Sequence, residues 1–133
     1  MDKKLVNPPG LFKPWGYHHA VTVTGPTKMV FISGQVARDH DGQLIKGDLA
    51  AQARQANQNL MAVLAGVGAT AADVVKLTTF VVRLRPENRK IVLDIRDEFF
   101  GRENLPASSL IGVEALAEAG MLVEIEAIAA VPA

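Results

Sequence analysis

From His18 onward, apolar and polar positions fall into short blocks separated by glycine and proline, and the period of each block predicts its element. Ala20 to Thr24 alternates and Met29 to Ser33 is apolar and β-branched, so both read as strands. Across Gly25-Pro26-Thr27-Lys28 they are expected to form a hairpin. Asp39-His40-Asp41-Gly42 marks a turn before Gln43 to Ile45. Behind Asp48, a suitable N-cap, Leu49, Ala53, Ala56, Leu60, Val63 and Leu64 recur at helical spacing until Gly66 and Gly68 interrupt them. Thr70 and Asp73 have capping-box spacing, and Val75 to Leu84, rich in Val, Thr and Phe, reads as a strand. Pro86 opens a second helix with Ile91, Ile95 and Phe99 on its apolar side and charges opposite, and Gly101 closes it. Leu105 to Val113 and Met121 to Val131 read as two further strands around a loop at Glu118-Ala119-Gly120.

Residues 1–16 carry Pro8, Pro9, Gly10, Pro14 and Gly16, too dense a punctuation for regular structure. The first residues are expected to be loose, with Phe12, Trp15 and Tyr17 free to dock. The element order is therefore ββαβαββ, an α+β fold. Helices placed between strands imply crossovers that put both helices on one face of a mixed sheet. The opposite face is left bare, which predicts an oligomer.

Composition narrows the class. A chain of 133 residues, 49% hydrophobic and 21% charged, is sized for one globular unit, so 1–133 is expected to be a single domain. The uncharged run from Gln55 to Ala72 contains Asn57, Gln58 and Asn59 and reads as the buried side of a helix and a turn, not a membrane span. Met1 to Gly10 has no apolar stretch of the secretory type. With no cysteine there is neither disulfide nor thiolate chemistry, and the cytoplasm is the expected compartment. Fourteen basic residues balance fourteen acidic ones, which gives no electrostatic footprint for nucleic acid or an anionic membrane.

There is no glycine-rich phosphate loop and no serine in an elbow motif, and adjacent His18 and His19 on a strand would point to opposite faces, so neither a metal nor a cofactor is expected. Glu124 and Glu126 are more informative, because carboxylates at i and i+2 share one strand face about 7 Å apart. Two readings stand. Either they pair with Lys76, Arg83 or Arg85, or one of them is a general acid or base whose proton is retained by apolar surroundings. The spacing does not choose between Glu124 and Glu126. Ser33 offers a hydroxyl and Gly34 a close backbone approach, or the pair is a simple strand exit. Ser108 and Ser109 offer further hydrogen-bonding groups but have no adjacent base.

In sequence order, Gly16-Tyr17-His18-His19-Ala20, Ile32-Ser33-Gly34-Gln35, Phe99-Phe100, Pro106-Ala107 and Val123-Glu124-Ile125-Glu126-Ala127-Ile128-Ala129 resemble the Rid family of reactive imine and enamine deaminases, also called the YjgF or endoribonuclease L-PSP family. The resemblance runs from Gly16 to Val131. It implies a chorismate-mutase-like fold, a homotrimer whose sheets form a central barrel, and clefts between subunits for a small-molecule ligand. It further implies that Glu124, with the backbone carbonyl of Leu110, positions an attacking water, and that Tyr17, Ser33 and Gly34 belong to the binding cleft. Two positions depart from the pattern of members that hydrolyse imines made by pyridoxal-phosphate enzymes. Their arginine after Pro-Ala, a bidentate carboxylate clamp, is Ser108 here, and their asparagine six residues before the paired phenylalanines is Leu93. The loop from Phe100 to Pro106 is also shorter. The resemblance thus implies a hydrolase or deaminase acting on an imine, enamine or related C=N compound other than the simplest amino-acid-derived imines. The alternative is a non-catalytic trimer that binds a metabolite or a partner. Ribonuclease action, named in the family, is disfavoured by the balanced charge.

Overall fold

The computed structural model describes residues 1–133. Its elements are β1 (Asp2–Val6), β2 (Ala20–Thr24), β3 (Thr27–Gln35), α1 (Leu49–Gly66), β4 (Val74–Val82), α2 (Pro86–Phe100), β5 (Ala107–Val113) and β6 (Val123–Pro132), with a 3-10 turn at Ala71–Asp73 before β4. A four-stranded sheet in the order β3-β6-β4-β5 carries the fold. Only β4 and β5 run parallel, so the sheet is mixed, and β1 and β2 form a separate antiparallel pair.

Two local expectations are corrected. The first residues are not loose: β1 pairs with β2 from Asp2↔Thr24 to Val6↔Ala20. The prolines begin only at Pro8, so nothing in the first six residues blocks a ladder, and a distant strand supplies the partner. The expected hairpin between Ala20–Thr24 and the following strand is absent, because β2 pairs with β1 while β3 pairs with β6. Gln43 to Ile45 contributes only an isolated bridge, Arg38↔Leu44.

The helices form where their signals lie. Asp48 accepts a hydrogen bond from the Ala51 N–H at 3.0 Å and opens α1. The Asp73 carboxylate accepts from the Thr70 N–H at 2.8 Å, completing the capping box. The core joins Ala53, Ala56, Leu60 and Leu64 of α1 and Val92 and Ile95 of α2 to Leu77 and Val81 of β4 and Val123, Ile125, Ala127 and Ala129 of β6. Both helices therefore cover one sheet face. On α2 Ile95 enters the core and Phe99 packs against it as expected, but Ile91 is 39% exposed and Val92 and Arg96 are buried instead, so the buried stripe is turned toward Val92. Arg54 on α1 grips Glu98 on α2 with two hydrogen bonds of 3.1 and 3.2 Å, which hold the Glu98 carboxyl below the ordinary carboxylate range. No helix is long and apolar enough to cross a membrane.

One buried polar side chain sets where β6 begins. Gln52 donates to the Gly120 carbonyl at 2.8 Å and accepts from the Leu122 N–H at 2.9 Å. It fixes the chain two residues before Glu124. Gln52→Ala leaves both backbone groups unpaired, and calorimetry should record a loss of about 1–3 kcal/mol.

Candidate active site

Along β6, Val123, Ile125 and Ala127 enter the core, so the alternation turns Glu124, Glu126 and Ile128 toward the face without helices. The sheet is irregular beside them. Ile32 pairs with Ala127 and Gln35 with Ile125, so Ser33 and Gly34 together oppose the single residue Glu126 in a β-bulge. At this bulge Gly34 lies against the carboxyl of Glu124, and a Cβ on Gly34 would come within 2.5 Å of Glu124 Cδ and 2.8 Å of its Cγ and Oε2. Glu124 is half-buried and Glu126 exposed. Neither forms an ion pair with Lys76, Arg83 or Arg85. Lys76 instead donates to Ser109 Oγ at 2.8 Å. Ser33, Glu126, Lys76, Thr78 and Phe31 line an open cleft of about 320 Å³ on this face.

The other candidate residues gather elsewhere. The His18 N–H donates to the Pro106 carbonyl at 3.2 Å, and its Nδ1 lies 2.6 Å from the Leu105 carbonyl. These contacts, with a bridge from His18 to Ala107, put Tyr17 at the start of β5, where Ser108 and Leu110 follow. His19 Nε2 lies 2.8 Å from the Phe12 carbonyl, so each histidine has one ring nitrogen engaged by backbone. Gly16, at φ 76°, packs on Arg96: a Cβ there would sit 2.8 Å from its Nη2. Leu93 is half-buried one helical turn from Arg96.

Glu124, Ser33 and Gly34 thus meet at one corner of the sheet, and Tyr17, Ser108 and Leu110 at another. In the register, Ser108 faces Leu77, which faces Ala127, three residues from Glu124. β4 stands between β6 and β5, so Glu124 is two strand spacings, about 10 Å, from β5; Ser108 is further offset by a comparable length along the strands, whereas Leu110 lies level with Ile125 through Thr79. Their faces differ too. Ser109 shares the open face with Lys76, which turns Ser108 to the helix-bearing side. Within one chain, then, Leu110 and Glu124 lie on strands that β4 separates.

Two buried polar residues were not singled out from the sequence. Gln52 sits at a core position of α1, where a polar residue signals a buried hydrogen-bonding duty. Arg96, one of the charged residues of α2, is buried and bonded to Asp97 Oδ1 at 2.9 and 3.2 Å.

Residues 13–131 match the family model described as Endoribonuclease L-PSP. The chain belongs to the Rid family. It is 35% identical over 122 residues to the human 2-iminobutanoate/2-iminopropanoate deaminase, covering 91% of this chain and 82% of that protein. It is 31% identical over 133 residues to the RutC family protein YjgH of Escherichia coli K12, covering 99% and 98% of the two chains. The crystal structure of YyfB, a Rid-family protein of unknown function from Yersinia pestis, superposes with a TM-score of 0.88 at 41% identity, over 98% of this chain and 100% of that one. The mixed α+β Rid fold with its two helices is as the sequence resemblance implied, and some Rid-family members bear the name of imine deaminases.

Proposed function

We propose that this Rid-family chain is a cytoplasmic hydrolase or deaminase that adds water to the C=N bond of a small imine, enamine or related compound. The reaction takes place in a cleft between copies of a homotrimeric barrel built from the single domain 1–133. The observation that carries this reading is the environment of Glu124: a half-buried carboxyl free of ion pairs, pressed against a glycine at a β-bulge on the face that no helix covers. A carboxylate in that setting is available to take a proton. Water adds to the imine carbon and passes a proton through Glu124 to the nitrogen. The tetrahedral adduct then releases ammonia and leaves a carbonyl, so an imine and one water become a ketone and ammonia. The step uses no cofactor.

The separation of the two corners supports a cleft shared between copies. A cyclic assembly with head-to-tail contacts sets one corner of a chain beside the opposite corner of its neighbour. Glu124, Ser33 and Gly34 of one copy then face Ser108, the Leu110 carbonyl and Leu93 of the next, with Tyr17 closing the pocket and the Leu110 carbonyl holding the water. The test is steady ammonia release from a panel of imines and enamines. Sustained turnover supports the hydrolase. Saturable binding without release would move the assignment to a non-catalytic metabolite binder, a reading favoured by the neutral Ser108 at the clamp position.

Ser108 also shapes the substrate range. Its hydroxyl offers one neutral hydrogen bond where a guanidinium offers two charge-assisted ones, and a hydrogen bond to a charged group contributes about 1.5–3 kcal/mol. The unmodified protein should hydrolyse 2-iminopropanoate poorly. Ser108→Arg is expected to improve kcat/KM for it about tenfold to a hundredfold, and addition of Leu93→Asn should raise it further. An unmodified protein that matches a clamp-bearing relative on this substrate would show that another group holds the carboxylate.

A further inference from the structure

Only Gly25 and Pro26 separate the end of β2 at Thr24 from the start of β3 at Thr27. A two-residue link ordinarily folds its flanking strands into an antiparallel hairpin, yet no ladder joins β2 to β3. Each strand is left with an open edge. On β3 that edge runs nine residues without a proline and exposes Met29 at 44% and Phe31 at 76%. Natural chains cover or blunt edges of this length and apolarity.

The contacts that hold the β1–β2 ribbon away from β3 are specific. At one end His18 is fastened to Pro106 and Ala107 at the start of β5. Along β1, Lys3 Nζ donates to the Ala72 carbonyl just before β4. At the other end the Ala133 N–H donates to the Pro26 carbonyl at 3.3 Å, and Thr27 Oγ1 donates to the Gly25 carbonyl at 2.8 Å. The ribbon therefore crosses the end of its own sheet from β5 to β3 instead of lying along the β3 edge.

We propose that the ribbon is an exchanged element, with β2 of one copy pairing antiparallel with the open β3 edge of a neighbouring copy. The same chain supplies both edges, and exchange of an identical element is a low-cost route to assembly when a short hinge disfavours folding back. The register that a Gly25-Pro26 hairpin would impose sets Thr22 opposite Met29 and Ala20 opposite Phe31, covering both exposed side chains. Continued two and three residues further, it sets His18 opposite Ser33 and Tyr17 opposite Gly34. Tyr17 is tied through His18 to the start of β5, so the exchange also brings Ser108 of one copy to the Glu124 corner of the next. This last step rests on the intersubunit cleft proposed above.

The chain has no cysteine, so the variant Thr22→Cys/Met29→Cys reports the pairing directly. On oxidation, exchange gives covalent species of two and three chains in non-reducing electrophoresis. A disulfide closed within one chain, seen as a covalent monomer lighter by two hydrogens, overturns the exchange. So do free thiols both in this variant and in Thr22→Cys/Phe31→Cys, which samples the register shifted by two. Light scattering on the reduced variant separates the two claims: an oligomer with internally closed disulfides ends the exchange and leaves the cleft standing, whereas a monomer ends both.

Discussion

Replacing Glu124 by glutamine should lower ammonia release by about 10²–10⁴-fold, the usual contribution of a positioned general acid or base. Glutamine keeps the volume and one carbonyl oxygen but takes no proton at neutral pH, so the substitution isolates proton transfer from packing. Because Glu124 has no ion-pair partner to strand, the fold and the melting temperature should be retained. Glu126→Gln serves as the comparison. Its side chain is exposed on the same face and opposes the bulge rather than packing against Gly34, so turnover should change little. Equal losses in the two variants, or a larger loss for Glu126→Gln, would transfer the proton-transfer role.

The second large effect is expected at Gly34. Its backbone lies outside the left-handed region, so alanine carries no conformational penalty there. The added Cβ, however, would fall 2.5 Å from Glu124 Cδ and 2.8 Å from Cγ, and movement of the terminal oxygens alone does not relieve the contact. The carboxyl must swing away. Misplacement of a reacting group by about 1 Å is enough for a hundredfold loss, so Gly34→Ala should approach Glu124→Gln in kcat while its melting temperature stays close to that of the parent. A Gly34→Ala protein with full turnover would show that the contact between Gly34 and Glu124 does not hold the reacting geometry.

What was legible in the sequence was what neighbouring residues decide. Asp48 and Gly66 bound α1, and Pro86 and Gly101 bound α2, because caps and breakers act within one helical turn. The shared face of Glu124 and Glu126 follows from strand alternation alone. On α2 the inward placement of Ile95 and Phe99 followed from spacing, but the choice between Ile91 and Val92 did not, since both fit a helical period beside Ile95 and only packing against α1 and the sheet selects one. β1 was missed because its partner begins at Ala20, beyond two consecutive prolines. The hairpin was misread because Gly25-Pro26 is a local turn signal, whereas β3's partner, β6, lies far along the chain. The contact between Gly34 and Glu124 arises from a register shift between those two strands, which no spacing within either strand reveals. The split of the candidate residues into two corners likewise follows from β4 lying between β6 and β5, a matter of sheet order.

Catalysis in a cleft shared by two copies is tested most directly by mixing two inactive chains. Glu124→Gln disables one corner, and Ser108→Trp, whose bulk fills the other, disables the second. Each variant is first shown by light scattering to assemble as the parent does. When the two are co-expressed and purified as mixed oligomers, random assembly around a ring gives about one quarter of the clefts an intact Glu124 from one copy and an intact Ser108 from the next. Ammonia release should recover to about that fraction of the parent's rate. Mixed oligomers no more active than the two separate variants would contradict the shared cleft and return both corners to separate duties within one chain.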